Sequence, residues 1–251
     1  MERSDYIYGL RAIIEAIEAG KEIDKIFLAK DLHGDLAQEL IDKARKARIV
    51  MQRVPPERIN RVTRKNHQGA LAMLSAITYH NLGHLLPELY EAGLLPFVVV
   101  LDGITDVRNF GAIARTAECA GVDALIIPEH GSVSVGGDAI KTSAGALHHI
   151  PVCRERSTLS AVRFLKDNGY KIVGVSEKAD INYTMTSYTD PVALVMGAED
   201  TGISPEVLKQ CDVLVSIPMF GRIGSLNVSV ASGIAMYEVV RQRLAANLEV
   251  I

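Results

Sequence analysis

Three polar, glycine-bearing segments hold the side chains best suited to chemistry in this chain. They span residues 101–111, 196–204 and 217–227, and a charged residue, Arg115, follows the first. Together they offer Asn109, Arg115, Glu199, Ser225 and Asn227 as donors and acceptors, and their glycines let backbone N–H and C=O groups approach a ligand closely. Each segment alone reads as ordinary strand-to-helix connection. Three together read as a ligand site whose apolar-to-polar mix suits an adenosine with an amino-acid tail or another nucleotide. No G-x-G-x-x-G or Walker A sequence is present, which argues against NAD and ATP. The pair His148–His149 points in different directions with no third ligand, so no metal is expected. Cys119, Cys153 and Cys211 lie far apart without C-x-x-C spacing. They read as buried small apolar residues, with neither a zinc site nor a disulfide framework.

The elements that must position these segments can be read from the apolar pattern. From residue 97 onward, continuous Val/Ile/Leu runs at 97–101, 124–127, 171–175, 192–196 and 213–217 read as strands. Helical patterns near 109–120, 159–168, 204–211 and 227–244 lie between them. Runs apolar on both faces suit a buried parallel sheet, and the alternation suits a doubly wound α/β domain. All three polar segments then follow the carboxyl ends of strands, where parallel α/β sheets bind ligands. Ser204 reads as a helix N-cap with Pro205 at the first helical position. Periodicity by itself predicts an unknotted sheet.

The front of the chain is a separate α/β pattern. Leu10, Ile13, Ile14 and Ile17 recur at helical spacing before Gly20, followed by a strand at 25–29 and a helix burying Leu36, Leu40, Ile41 and Ala44. A strand at 49–54, a turn at Pro55-Pro56 and residues 70–79 complete a unit of 1–80. A connecting segment at 81–95 reads as a helix with Leu85, Leu86 and Leu89 on one face. The second domain spans 96–251.

The net charge of -3 hides an asymmetry. Residues 1–80 hold fourteen Lys/Arg against eleven Asp/Glu, and the remainder thirteen against nineteen. Between Lys43 and Lys65 nine cations (Lys43, Arg45, Lys46, Arg48, Arg53, Arg58, Arg61, Arg64, Lys65) face the single acid Glu57. Such a run could neutralise a phosphate backbone or simply be a solvated face. The longest apolar stretches fall far short of a membrane span, and the charged start is unlike a signal peptide, so a cytoplasmic location is expected.

The three segments resemble, in order and spacing, the motifs of the SpoU family of RNA ribose 2′-O-methyltransferases, part of the SPOUT superfamily. The first motif is matched by Asn109-Phe-Gly111 with Arg115-Thr116, and the second by Gly197-Ala-Glu199 with Gly202-Ile-Ser204. The third is matched by Ile217-Pro-Met219, Gly221 and the run Ser225-Leu-Asn-Val-Ser-Val-Ala231, continued by Gly233-Ile234 and Tyr237-Glu238. Val107-Arg108 departs from the pattern where many members carry a Pro before the Asn. Tyr8-Gly-Leu-Arg-Ala12 and His67-Gln-Gly69 resemble the ends of the family's L30e-like RNA-binding extension, so the likeness covers nearly the whole chain.

That resemblance implies a SPOUT-type parallel sheet with a C-terminal trefoil knot, a homodimer built around it, and S-adenosylmethionine as methyl donor with no metal. It implies that Gly197, Ile217, Met219 and Leu226 line the cofactor pocket. It makes Arg115 the central catalytic residue, with Asn109, Glu199, Ser225 and Asn227 in support. The family's usual proposal makes the Arg a base; since a guanidinium stays protonated in proteins, a clamp on phosphate and developing alkoxide is the better role. Outside the resemblance, Glu199 would read as a turn contact near Ser204 and Asn227 as a helix cap. The implied substrate is a ribose in RNA, ribosomal before transfer RNA, with a guanosine of 23S rRNA favoured. A tRNA 2′-O-methyltransferase and a non-catalytic RNA-binding or ribosome-assembly protein are the alternatives; an oxidoreductase is disfavoured by the missing nucleotide fingerprint.

Overall fold

The computed structural model describes residues 6–92 and 95–246. They form two compact units, one of the described residues up to 78 with 134–137 and one of those in 79–133 and from 138 on.

In the smaller unit the elements run β1 (Tyr6–Tyr8), α1 (Leu10–Glu18), β2 (Ile23–Ala29), α2 (Asp35–Lys46), β3 (Val50–Val54), α3 (Pro56–Val62) and β4 (Ala70–Leu74). The sheet order is β1-β4-β2-β3, with β2 and β3 parallel and the other two pairings antiparallel. The helical stripe anticipated at Leu10, Ile13 and Ile14 packs with Leu40 and Ala44 of α2 over Ile26, Leu28, Ala70 and Ala72 of the sheet. Pro55-Pro56 starts a helix rather than a turn: Pro56 occupies its first turn, where a missing N–H costs nothing. His67 caps the following loop. Its Nδ1 accepts from Gly69 N at 3.0 Å, leaving Nε2–H to donate to Asn60 Oδ1 at 2.8 Å.

The larger unit continues with β5 (Tyr79–His80), α4 (Leu82–Glu91), β6 (Phe97–Asp102), α5 (Val107–Cys119), β7 (Ala124–Pro128), α6 (Gly137–Thr142), β8 (Val152–Glu155), α7 (Thr158–Asp167), β9 (Lys171–Val175), β10 (Ile181–Asn182), β11 (Val192–Gly197), α8 (Pro205–Leu208), β12 (Val213–Ser216) and α9 (Val228–Ala245). Its eight described strands are all parallel, in the order β10-β12-β9-β11-β6-β7-β8-β5. The parallel α/β architecture read from the apolar runs is present, and the five anticipated strands are β6, β7, β9, β11 and β12. The sheet also holds β5, β8 and β10, which are too short or too polar to stand out as apolar runs. The helix anticipated in the connecting segment is α4, and its Leu82 and Leu86 are buried in the core of the larger unit.

Both faces of the central strands are covered. Val98 and Val100 of β6 share a core with Ala161, Val162 and Leu165 of α7, while the alternating Phe97, Val99 and Leu101 are also buried. On β11, α9 provides packing, and α9 in turn packs against α5. The end of α9 is fastened by Arg243, 3% exposed, whose guanidinium donates to the carbonyls of Leu95, Pro96, Tyr188 and Asp190 at 2.6–3.3 Å. A buried cation satisfied by four carbonyls ties the last helix to the segments that lead into β6 and β11, at the centre of the sheet.

Two cysteines follow expectation: Cys153 is buried and Cys211 half-buried, whereas Cys119 is exposed at the end of α5, on the side turned away from the core. Among the described residues no helix is long and apolar enough to cross a membrane.

Candidate active site

Strand order fixes where a ligand can sit. Chain leaving β6 goes towards β7 on one side, and chain leaving β11, its neighbour, goes towards β12 on the other. The loops therefore part above the carboxyl ends of β6 and β11 and open a crevice, as at the switch point of any doubly wound sheet.

The loop after β11 is unusually tight. Ala198 and Gly202 exchange backbone hydrogen bonds of 3.2 and 2.9 Å, and Gly202 has φ +68°. A Cβ on Gly197 would lie 2.1 Å from Gly202 C and 2.2 Å from Ile203 N, so only glycine fits where the chain folds back on itself. Asp102, in register with Gly197, accepts from Ser204 N at 2.7 Å and pins the far end of the loop to β6. Glu199 is thereby held at the loop's tip. Ser204 precedes α8 and Pro205 begins it, as read from the sequence, but no side-chain bond caps that helix.

Asn227, from the third segment, meets the two others. Asn227 is the N-cap of α9, its Oδ1 accepting from Ser229 N at 2.9 Å. Its Nδ2 donates to Glu199 Oε1 at 2.5 Å and to Asn109 Oδ1 at 3.0 Å. A carboxylate only accepts, so the orientation of the amide follows from its partners. Val228 N also reaches Glu199 Oε1, at 3.5 Å. Asn227 thus caps α9 with its Oδ1 while its Nδ2 reaches Glu199 and Asn109. Asn109 is delivered by the first turn of α5, capped by Asp106, whose Oδ1 accepts from Arg108 N and Asn109 N at 2.7 and 3.1 Å. α5 lies tight against α6: a Cβ on Gly111 would fall 2.1 Å from Thr142 Oγ1.

Two clefts meet at Glu199. One, about 810 Å³ including its open mouth, is walled by Met196, Gly197, Ile217, Met219, Leu226 and Ala231, with Ser225 at its side. The other lies over Gly103–Asp106 and is bounded by Asn109, Glu199 and Asp200. The first cleft combines an apolar floor with exposed backbone and the carboxylates of Glu177, Glu199 and Asp200 against the single cation Lys178. That balance suits a ligand with positive charge and disfavours a phosphate-bearing one.

Asn109, Glu199 and Asn227 are thus hydrogen-bonded together, Ser225 lines the adjoining cleft, and Gly197, Ile217, Met219 and Leu226 all line it. Arg115 stands apart. Six positions beyond Asn109 on α5, it is turned by about 120° and displaced by about 9 Å along the axis. It is exposed and lines neither cleft, and no described residue bonds to it. Sequence reading assigned no role to Asp102, Asp106 or the Ser176–Glu177–Lys178 wall. The available signal for that wall was its place after β9, at the same end of the sheet as the other loops.

Comparison with known proteins finds relatives of both units. The model of the SpoU rRNA Methylase family matches residues 96–237, and that for RNA 2′-O ribose methyltransferase substrate binding matches residues 6–80. A Bacillus subtilis protein named as a TrmH family tRNA/rRNA methyltransferase, YacO, is 34% identical over 242 residues, covering 96% of this chain and 97% of its own. Among solved structures, the SpoU methyltransferase AviRb from Streptomyces viridochromogenes in complex with AdoMet superposes with a TM-score of 0.60 at 26% identity, over 96% of this chain and 90% of that one. The A. aeolicus TrmH/SpoU tRNA modifying enzyme superposes with a TM-score of 0.55 at 30% identity, over 66% and 85% of the two chains. Matched over both of its units, the chain belongs to the SpoU family of RNA methyltransferases, enzymes that take their methyl group from S-adenosylmethionine.

Proposed function

We propose that this enzyme methylates the 2′-hydroxyl of a ribose in ribosomal RNA, with a guanosine of 23S rRNA as the favoured target. The observation that carries the reading is the three-way junction of Asn227 with Glu199 and Asn109 at the meeting of two clefts. S-adenosylmethionine supplies an electrophilic methyl group when bound. Gly197, Ile217, Met219 and Leu226 would hold it in the first cleft, whose acidic balance complements a sulfonium and an ammonium. The second cleft, over Gly103–Asp106, is the place for the nucleotide to be modified.

A displacement at carbon needs its nucleophile aligned and deprotonated, and the chain's residues divide that work. Asn109, Glu199 and Asn227 fix the two loops so that the clefts keep one relative position. Ser225 presents a hydroxyl at the side of the cofactor cleft. Arg115, charged, exposed and without a partner among the described residues, lies outside both clefts and is assigned to an RNA phosphate and to the alkoxide that develops on the ribose oxygen, which it meets only once RNA is seated. The proton passes to phosphate or water, because a guanidinium does not accept it.

The catalytic domain of 96–251 and the front domain of 1–80 divide chemistry from RNA capture, with 81–95 between them. The C-terminal part carries the trefoil knot, both walls of the cofactor cleft, 196–202 and 217–226, belonging to it. A homodimer forms through α9, where Val230, Tyr237 and Leu244 recur every seven residues and are 50–61% exposed. Such an apolar stripe on an otherwise packed helix calls for a partner. The enzyme works in the cytoplasm, where ribosomal RNA is matured.

The test is mass-spectrometric mapping of ribose methylation in ribosomal and transfer RNA from cells with and without the gene, complemented by wild type or Arg115→Ala. Loss of one 2′-O-methyl nucleotide, restored by wild type alone, establishes the reaction and names the RNA. Unchanged methylation at every site moves the assignment to a non-catalytic RNA-binding protein.

A further inference from the structure

The sheet of the smaller unit has one well-covered face and one open one. α1 and α2 cover the first. On the second, among the described residues, only the seven-residue α3 contributes a helix, burying Ile59 against Ala29, Val54 and Leu71. Strand register places Tyr8, Leu71, Phe27 and Gln52 in one row across this face, and Tyr6, Met73, Lys25 and Val50 in the next. Tyr6, Tyr8 and Phe27 stay half-buried around the small core, a cost for aromatic rings on a surface.

Cations lie on those rings. Lys65 Nζ is 5.5 Å from the Tyr8 ring centre and Arg58 Cζ is 5.1 Å from that of Phe27. Beside them Arg61 and Arg64 border a hollow with Asn60 and Glu57. Arg58, Arg61, Arg64 and Lys65 are all exposed, and none forms an ion pair among the described residues.

The other half of the basic run is different. On α2, Lys43 pairs with Glu18 at 2.5 Å and with Glu39 at 3.8 Å, and Arg45 lies 3.8 Å from Asp42. Arg53 is spent on the carbonyls of Ala29, Lys30 and Leu32. Lys46 and Arg48 remain, with no ring beneath them among the described residues. One stretch of sequence thus contributes to two surfaces, and only one joins uncompensated charge to aromatic faces.

We infer that this open face, between Tyr8 and Phe27 and rimmed by Arg58, Arg61, Arg64 and Lys65, is where the front domain takes unpaired RNA nucleotides. Bases stack on the two rings while the cations that occupy them move to flanking phosphates. The inference rests on RNA being the substrate, and names the part of it that is held: a loop, bulge or single strand. An A-form duplex keeps its base faces stacked on one another and offers none to Tyr8 or Phe27. Stacking tolerates any base, so this face supplies affinity and orientation, and base choice lies elsewhere.

The experiment measures binding of the full-length protein to a fluorescein-labelled, unpaired RNA oligonucleotide and to a blunt RNA duplex of equal length, by anisotropy over a salt series. The single strand is expected to bind about tenfold more tightly. Tyr8→Leu with Phe27→Leu should weaken single-strand binding about tenfold with the salt slope kept, since area is retained and the stacking surface lost. Arg61→Gln with Arg64→Gln, both exposed and safe for folding, should lower the slope of log affinity against log salt by about 1.4. Lys46→Gln with Arg48→Gln should change affinity by less than about twofold. Equal binding of duplex and single strand, an unchanged slope for the Arg61/Arg64 pair, or an equal loss from the Lys46/Arg48 pair overturns the inference. S-adenosylmethionine affinity is measured alongside as a check on folding. Wild type that binds the single strand as described but methylates no RNA sinks the enzymatic reading and leaves this surface standing; methylation with normal binding by the variants does the reverse.

Discussion

Asn227 donates its side-chain amide to Glu199 Oε1 at 2.5 Å across 28 residues of chain, and this bond joins the second and third motif segments. Its importance lies in direction: an amide N–H meets a carboxylate that can only accept. Asn227→Asp removes the donor and sets two carboxylates face to face. Two like charges then meet where a donor met an acceptor, and the two segments lose their tie. Methyl transfer by this variant should fall about 10- to 100-fold, the worth of one hydrogen bond to a charged group. A rate within about twofold of wild type, measured with folded protein, would count against the role given to this bond.

Gly197 tests the loop itself. Gly197→Ala puts a methyl group 2.1 Å from backbone that no rotamer can move. The loop must open, at a cost of about 1–3 kcal/mol in stability by analogy with overpacked cores. S-adenosylmethionine binding, followed by calorimetry, should weaken by about tenfold or more, since the shifted backbone forms the cleft wall. Gly136→Ala, where an added Cβ meets nothing within 4 Å, should leave both quantities within about twofold. Similar behaviour of the two variants would refute the close-approach argument.

The three thiols differ in environment and should differ in reactivity. Burial, with the Glu155 carboxylate adding to it, pushes the Cys153 thiol up to about 12, and burial next to Asp212 pushes Cys211 up to about 11. Both are thiols, not thiolates, at neutral pH and are inert to disulfide reagents, whereas Cys119 is exposed. Titration of the native protein with a chromogenic disulfide should show one fast thiol, abolished by Cys119→Ser, with two more appearing on denaturation. Raising the pH to 9 should leave Cys153 and Cys211 protected, because both values lie above it. Fast reaction of more than one thiol in the native state would show that the burial is mistaken.

Much of this protein was legible in its sequence. Buried parallel strands must be apolar on both faces, so Phe97, Val98, Val99, Val100 and Leu101 announce β6 without further help. The polar, glycine-bearing segments had to fall where strands end, and their order and spacing pointed to the SpoU family. The cleft-lining set of Gly197, Ile217, Met219 and Leu226 followed from that likeness. Strands β5, β8 and β10 were not legible, since pairs of residues such as Ile181–Asn182 become strands only when a neighbour offers hydrogen bonds.

What only the tertiary structure decided is which residues meet. A sequence lists Asn109, Glu199 and Asn227 as candidates, but that one amide would bridge the other two depended on α5, the β11 loop and α9 all ending at one crevice. It also left Arg115 exposed and outside both clefts. And it divided one run of nine cations between two faces of a sheet, some neutralised by α1 and α2 acids and others left over aromatic rings. The physical reason is common to all three. Residue type fixes what a group can do, while charge pairing, stacking and hydrogen bonding depend on distance and direction, and those are set by packing between parts of the chain far apart in sequence.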